Sequence, residues 1–216
     1  MKFLIHTVPQ RQDNMVSIME NLRAQGVHPN EILMYSDVAK EGNLTAFVRS
    51  CEYLEKRCLD VAEPVWHLQD DIQLSNYFVE DIKRMHAEYC MHLDWPVWCG
   101  FCSHESIDLE GKLLPDGETD PEHMWYSFPC IMIPVMVTNM FVRWFYESPK
   151  SDIEEKWIKE NRYDDSLFRN FLIKSKIGVE VINIKPNLVD HRDDLCGGSI
   201  LNRDRKAPAR ALYFEG

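Results

Sequence analysis

The first 75 residues alternate strand and helix, and that alternation restricts the chain more than any other feature. Met1 to Val8 is an apolar strand pattern broken by Pro9, and Asp13 or Asn14 can cap a helix running through Val16, Met19 and Leu22 to Gly26. Glu31 to Tyr35 reads as a second strand, ending in Ser36-Asp37. Gly42 and Asn43 open a helix over Leu44 to Cys58, with Leu44, Phe47, Val48, Cys51 and Leu54 on one face. Pro64 to Leu68 is a third strand. This order predicts an α/β layer, in which ligands gather outside the carboxyl ends of the strands. Asp37 and the Asp70-Asp71 pair fall at those ends.

Beyond them the pattern continues as a helix over Asn76 to Cys90, a strand over Val97 to Cys102 and a long polar loop over His104 to Met124. A loop of that length suits a lid or an acceptor-binding segment better than a turn. Phe128 to Phe145 begins as a strand and continues as a helix. Ser151 to Glu160 and Asp164 to Ser175 are helices, and Val179 to Ile184 is a late strand. At 216 residues, with no repeat or flexible linker, the chain is expected to form one domain over 1–216.

Composition removes several classes. A hydrophobic fraction of 45%, without a long uncharged apolar run, argues against disorder and against a membrane span. The N-terminus lacks the small-residue cleavage site of a signal peptide, so a cytoplasmic location is expected, without stable membrane association. Seven cysteines, an odd number spread over strands and helices, fit reduced thiols. Cys99 and Cys102 form C-x-x-C at a strand end, where alternate residues face opposite ways, and they are read as small core or site-lining residues. A net charge of −11 disfavours non-specific nucleic-acid binding, although Arg203, Arg205, Lys206 and Arg210 concentrate positive charge in the tail.

Two adjacent carboxylates at a strand end suit a hard divalent cation, Mg²⁺ or Mn²⁺. The plainer alternative, with equal support from the pair alone, is that Asp70 caps the following helix and Asp71 is solvated. Like charges side by side are costly unless something positive sits between them. Asp164-Asp165 before a helix and Asp190-His191 in NLVDH add further acidic and imidazole groups at element ends. A neutral imidazole can ligate a metal near pH 7, but His191 alone reads more readily as a hydrogen-bonded surface residue.

VPQR after the first strand, SD before a Gly-opened helix, LQDDI at a strand end, FPCIMIP, RYDDSLFRNFL and NLVDH followed by GGSILN resemble, in this order and over nearly the whole chain, a small phage or bacterial glycosyltransferase of the GT-A type. LQDDI places Gln69 where that family often has the first acid of Asp-x-Asp.

The resemblance implies a GT-A-like, Rossmann-like α/β fold with a mixed, mainly parallel sheet flanked by helices. Residues 1–90 would bind the nucleotide-sugar, 91–185 the acceptor, and 186–216 would form a tail. It implies Mn²⁺ or Mg²⁺ as cofactor, held by Asp71, Asp70 and His191, and a nucleotide-diphospho-sugar donor, a UDP-sugar, contacted by Pro9, Arg11, Asp37 and Asp70. Arg203 and Lys206 of the tail would clamp the diphosphate; a solvated basic tail is an equal alternative. Asp165 resembles the base of inverting members, with Asp164 its close competitor. Apart from the resemblance, Trp125 and Tyr126 beside the long loop can stack on an acceptor sugar or flipped base, although aromatics near apolar strands are more often core. Two acceptors remain open: a 5-hydroxymethylpyrimidine, or its sugar, in phage DNA, with the enzyme in the host cytoplasm; or a cell-surface glycan precursor or small molecule. A non-catalytic nucleotide- or metal-binding module is the remaining alternative.

Overall fold

The computed structural model describes residues 1–58, 60–89, 96–100, 113–114, 129–184, 188–192 and 214. The expected alternation is present: β1 (Lys2–Thr7), a 3₁₀ turn (Pro9–Arg11), α1 (Gln12–Ala24), β2 (Ile32–Ser36), α2 (Asn43–Arg57), β3 (Pro64–Gln69), β4 (Ile72–Leu74) and α3 (Phe78–Tyr89). Then come β5 (Pro96–Cys99), β6 (Leu113–Leu114), β7 (Cys130–Pro134), α4 (Val135–Glu147), α5 (Asp152–Glu160), α6 (Asp164–Ser175), β8 (Glu180–Asn183) and β9 (Val189–His191).

Seven strands form one sheet in the order β2-β1-β3-β7-β5-β8-β6. β1 pairs in parallel with β2 and β3, and β5 with β8, whereas β7 is antiparallel to both β3 and β5, and β6 to β8. β1, β2, β3, β5 and β8 therefore run the same way, giving the mixed, mainly parallel sheet that was expected. β4 and β9 form a separate antiparallel ribbon.

Alternation along the strands divides the core. Phe3, Ile5, Trp66 and Leu68 pack with Ile18 and Leu22 of α1 and Phe78 and Ile82 of α3. On the other side Ile131 and Ile133 pack with Phe47 of α2, Phe141 of α4 and Phe168 and Phe171 of α6, while Leu4 and Val65 join Leu54. Burying such side chains is each worth about 1.5–3 kcal/mol, so the two-sided sheet is the main stabilising element.

Three expectations are corrected. Asp13 and Asn14 do not cap α1: the 3₁₀ turn runs into the helix, which starts at Gln12, because Pro9 at the first position presets its backbone. β5 ends at Cys99, with Gly100 outside it. Asp190 and His191 lie within strand β9 rather than after a strand. Cys99 and Cys130 are buried, in keeping with core cysteines, and burial pushes the Cys130 thiol up. Trp98 is core, 1% exposed. Cys102, Trp125, Tyr126, Arg203, Arg205, Lys206 and Arg210 lie outside the described residues. Among the described residues no helix is long and apolar enough to cross a membrane.

Candidate functional site

The site is built at the carboxyl ends of β1 and β3. Parallel pairing sets His6 beside Gln69, so Thr7, Val8 and the turn after β1 reach the Asp70-Asp71 turn. The Thr7 hydroxyl donates to Asp70 Oδ2 at 2.8 Å and the Val8 amide donates to the same oxygen at 3.3 Å. Arg11 Nη1 donates to Asp70 Oδ1 at 3.1 Å and to Asp71 Oδ2 at 2.9 Å. All three residues are buried, Arg11 to 7% exposure, Asp70 to 6% and Asp71 to 9%. Asp70 is thus not a cap of α3, and Asp71 is not solvated.

β9 brings in the imidazole. Its antiparallel pairing puts His191 opposite Ile72, the residue after Asp71, and His191 Nε2 lies 3.3 Å from Asp71 Oδ2. The Arg192 amide donates to the Asp71 carbonyl at 2.6 Å, closing the ribbon over the turn. Gly100 lets this segment approach: its carbonyl accepts from the Leu188 amide at 2.8 Å, and a Cβ on Gly100 would lie 2.7 Å from Cys130 Sγ. Asp190, beside His191, is 2% exposed.

The acids respond differently to burial. Burial raises Asp70, and the adjacent Asp71 charge adds to this against the opposing Thr7 and Arg11 bonds. Burial also pushes Asp71 up, but its contacts with His191 and Arg11 outweigh that and hold it below the ordinary carboxylate range.

Asp37 adjoins the same strand ends, with its amide donating to the Thr7 carbonyl at 2.9 Å. Its carboxylate accepts from the amides of Glu41 at 3.0 Å and Gly42 at 3.3 Å, folding the loop into α2. Asn161 Oδ1 then accepts from the Thr45 amide at 2.8 Å and the Thr45 hydroxyl at 2.9 Å, capping α2 from the far side of the chain. Asp164 and Asp165 follow three and four residues later, half-buried in the first turn of α6. Asn161 thus ties the chain just before the YDDSLF segment to the start of α2. Asp165 Oδ1 accepts from the Ser166 amide at 2.7 Å. Buried Glu154 secures the helix below, binding Ser151 Oγ of the α5 start at 2.8 Å and Lys174 of α6 at 2.6 Å.

Asp71 Oδ1 is buried with no hydrogen-bond partner among the described residues. Among those residues, no three His, Cys, Asp or Glu side chains converge as a closed metal cage. Mg²⁺ and Mn²⁺ do not need one, since they bind through one or two carboxylates together with water and substrate phosphates. An unpartnered oxygen on Asp71, with His191 alongside, fits that kind of ligation.

Thr7, Arg11's bridge and Asn161 were not recognised as site-building residues from the sequence. Thr7 had a signal, as the last residue of the strand beside β3; Asn161 had none, because its partner lies 116 positions away.

No protein-family model and no curated protein sequence matches the chain. Among solved structures it is similar to a nucleoside-diphosphate-sugar pyrophosphorylase from Vibrio cholerae RC9, with TM-score 0.52 and 15% identity over 92% of this chain and 77% of that one. It is also similar to S. aureus TarS 1–349, with TM-score 0.51 and 10% identity over 91% of this chain, which spans 62% of that one. A glycosyltransferase involved in glycosylation of the PBCV-1 major capsid aligns at TM-score 0.44 and 10% identity, over 86% of this chain and 83% of that one, too distant to carry weight. The chain has a GT-A-like, Rossmann-like fold, a mixed, mainly parallel sheet flanked by helices.

Proposed function

We propose that the protein is a metal-dependent glycosyltransferase that moves a sugar from a nucleotide-diphospho-sugar, a UDP-sugar, to an acceptor hydroxyl with inversion. The observation that carries this reading is the meeting of Asp70, Asp71 and His191 at the carboxyl ends of β1 and β3, with one buried Asp71 oxygen unpartnered among the described residues. Ligand sites of open α/β sheets lie at that end. The fold's likeness to a sugar-nucleotide enzyme, and the motifs from VPQR to NLVDH, supply the donor class.

Asp71 and His191 would hold Mn²⁺ or Mg²⁺, with Asp70 supporting them. The cation, when bound, supplies positive charge to the diphosphate as the bond to the anomeric carbon breaks. Pro9, Arg11 and Asp37 form the nucleotide side of the site, and Arg203 and Lys206 clamp the diphosphate. Asp165 accepts the proton of the attacking hydroxyl, with Asp164 as the competing base. Trp125 and Tyr126 stack on the acceptor. Residues 1–90 form the donor part and 91–185 the acceptor part, and the enzyme works in the cytoplasm.

For the acceptor, the basic tail supports a 5-hydroxymethylpyrimidine in phage DNA, whereas the net charge of −11 favours a cell-surface glycan precursor or small molecule. The test incubates the protein with Mn²⁺ and a panel of nucleotide sugars, with and without 5-hydroxymethylpyrimidine DNA, and follows the sugar and the released phosphates. Transfer to DNA with release of a nucleoside diphosphate supports the first acceptor; slow release without DNA modification points to the second. Release of nucleoside triphosphate on adding pyrophosphate would instead make the protein a pyrophosphorylase. Donor binding with no turnover on any acceptor would make it a binding module.

A further inference from the structure

Two adjacent carboxylates buried at a strand end are costly unless a positive group is built in beside them. Arg11 meets that need, since its Nη1 lies 3.1 Å from Asp70 Oδ1 and 2.9 Å from Asp71 Oδ2. Asp70 Oδ2 is taken by Thr7 and Val8, and Asp71 Oδ2 is shared with His191. Of the four carboxylate oxygens, Asp71 Oδ1 is the one buried without a hydrogen-bond partner among the described residues. The 3₁₀ turn that carries Arg11 is itself fixed, since Pro9 opens it and the Arg11 amide closes it onto the Val8 carbonyl at 2.9 Å.

We propose that Arg11 is the resident counter-cation of the Asp70-Asp71 pair, a positioning residue that holds both carboxylates so that Asp71 Oδ1 is left for one divalent cation. The inference rests on the reading of this site as a cation and donor site, and it refines the role of Arg11 from a donor contact to the support of the acids. The protein's own charge then neutralises part of the pair before any metal arrives. A single +2 ion suffices to complete the site, and the pair stays folded between turnovers.

The experiment uses the full chain with no donor present. Thermal unfolding of the wild type, Arg11→Lys and Arg11→Ala is measured in chelator and again with Mn²⁺ alone, and Mn²⁺ binding is followed by the electron paramagnetic resonance signal of the free ion. Without metal, Arg11→Ala is expected to melt about 10 °C below wild type, because the loss removes the guanidinium that both buried carboxylates share. Mn²⁺ alone is expected to raise the Tm of Arg11→Ala by about twice as much as that of wild type, since the cation then replaces the guanidinium. Arg11→Lys should fall between the two, and it carries the test if Arg11→Ala fails to fold. An unchanged metal-free Tm, or a Mn²⁺ shift no larger than wild type's, overturns the proposal. A direct donor contact alone would produce those null results and appear only when a nucleotide sugar is added. With no donor in the cuvette, failure of the transferase reading alone leaves these readouts unaffected, whereas a site that takes no cation shows itself as no Mn²⁺ shift in any of the three proteins and overturns the proposal.

Discussion

His191 reaches Asp71 through strand register: β9 places His191 opposite Ile72, and Nε2 comes to 3.3 Å from Asp71 Oδ2. Two residues 120 positions apart thus form one unit, and the three-residue ribbon that joins them is as much a part of the site as the side chains. Replacing His191 with Ala should weaken Mn²⁺-dependent donor binding by at least about 10-fold, since even the outer partners of a metal ligand are worth about 10–100-fold. Isothermal titration with donor in Mn²⁺ checks this, and an unchanged affinity removes His191 from the site.

Asp165→Asn should lower transfer about 10²–10⁴-fold, the usual contribution of a positioned base, while leaving donor affinity largely intact. Asp164→Asn should do markedly less. The comparison is a single-turnover rate beside a donor titration for each variant. A larger loss from Asp164→Asn would exchange the two roles, and full activity in both would end the assignment of a base to this segment.

Stability should fall in mild acid for a reason unrelated to the carboxylates. His6 Nε2 and His67 Nδ1 are 3.0 Å apart, and the rings stack with centroids 5.2 Å apart. Burial lowers His6 to about 4, and burial together with His6 lowers His67 well below its ordinary value. Both are neutral in the folded protein and titrate near 6.5 when unfolded. Their contribution is therefore complete above about pH 6.5 and is lost as pH falls through that value toward 4. For His6 alone the displacement corresponds to about 3 kcal/mol. Denaturant titrations at pH 7, 5.5 and 4.5 should show this loss in wild type and a smaller one in His67→Phe. Equal losses would contradict the account.

Gly42→Ala should be more destabilising than Gly26→Ala. Both glycines have positive φ, +92° and +88°, but a Cβ on Gly42 would lie 2.8 Å from Asn161 Nδ2, whereas nothing lies within 4 Å of one on Gly26. The left-handed backbone cost of about 1–2 kcal/mol is common to both. The difference in Tm isolates the packing of Asn161 against the start of α2; equal shifts would mean that Asn161 yields freely. Because Asn161 leads into Asp164, Gly42→Ala should also slow transfer.

Much of the fold could be read from local pattern. Leu167, Phe168, Phe171 and Leu172, bounded by Asp164 and Ser175, give α6 at its expected limits. The short apolar run of β3 and the apolar face of α2 placed the sheet and one helix layer in the same way. The β4–β9 ribbon escaped notice because three-residue strands carry no periodicity. His67 is a polar residue at a buried strand position, which the pattern alone assigns to core. The site was partly legible: paired carboxylates demand a positive neighbour, and the sequence therefore implied one. It did not reveal that Arg11, 59 positions before Asp70, supplies it. The local pattern likewise left Asp13 and Asn14 as helix caps, where the turn that delivers Arg11 had already begun α1.

The central claim is that the Asp70-Asp71 end of the sheet holds a nucleotide-diphospho-sugar through a divalent cation. Thermal unfolding with a panel of nucleotide sugars, each with and without Mn²⁺, tests it most directly, since a ligand that binds only the folded state raises its stability. The account predicts a rise in Tm with one UDP-sugar that requires Mn²⁺ and is absent in Asp71→Asn. No rise with any donor, or an equal rise in chelator or in Asp71→Asn, would contradict it.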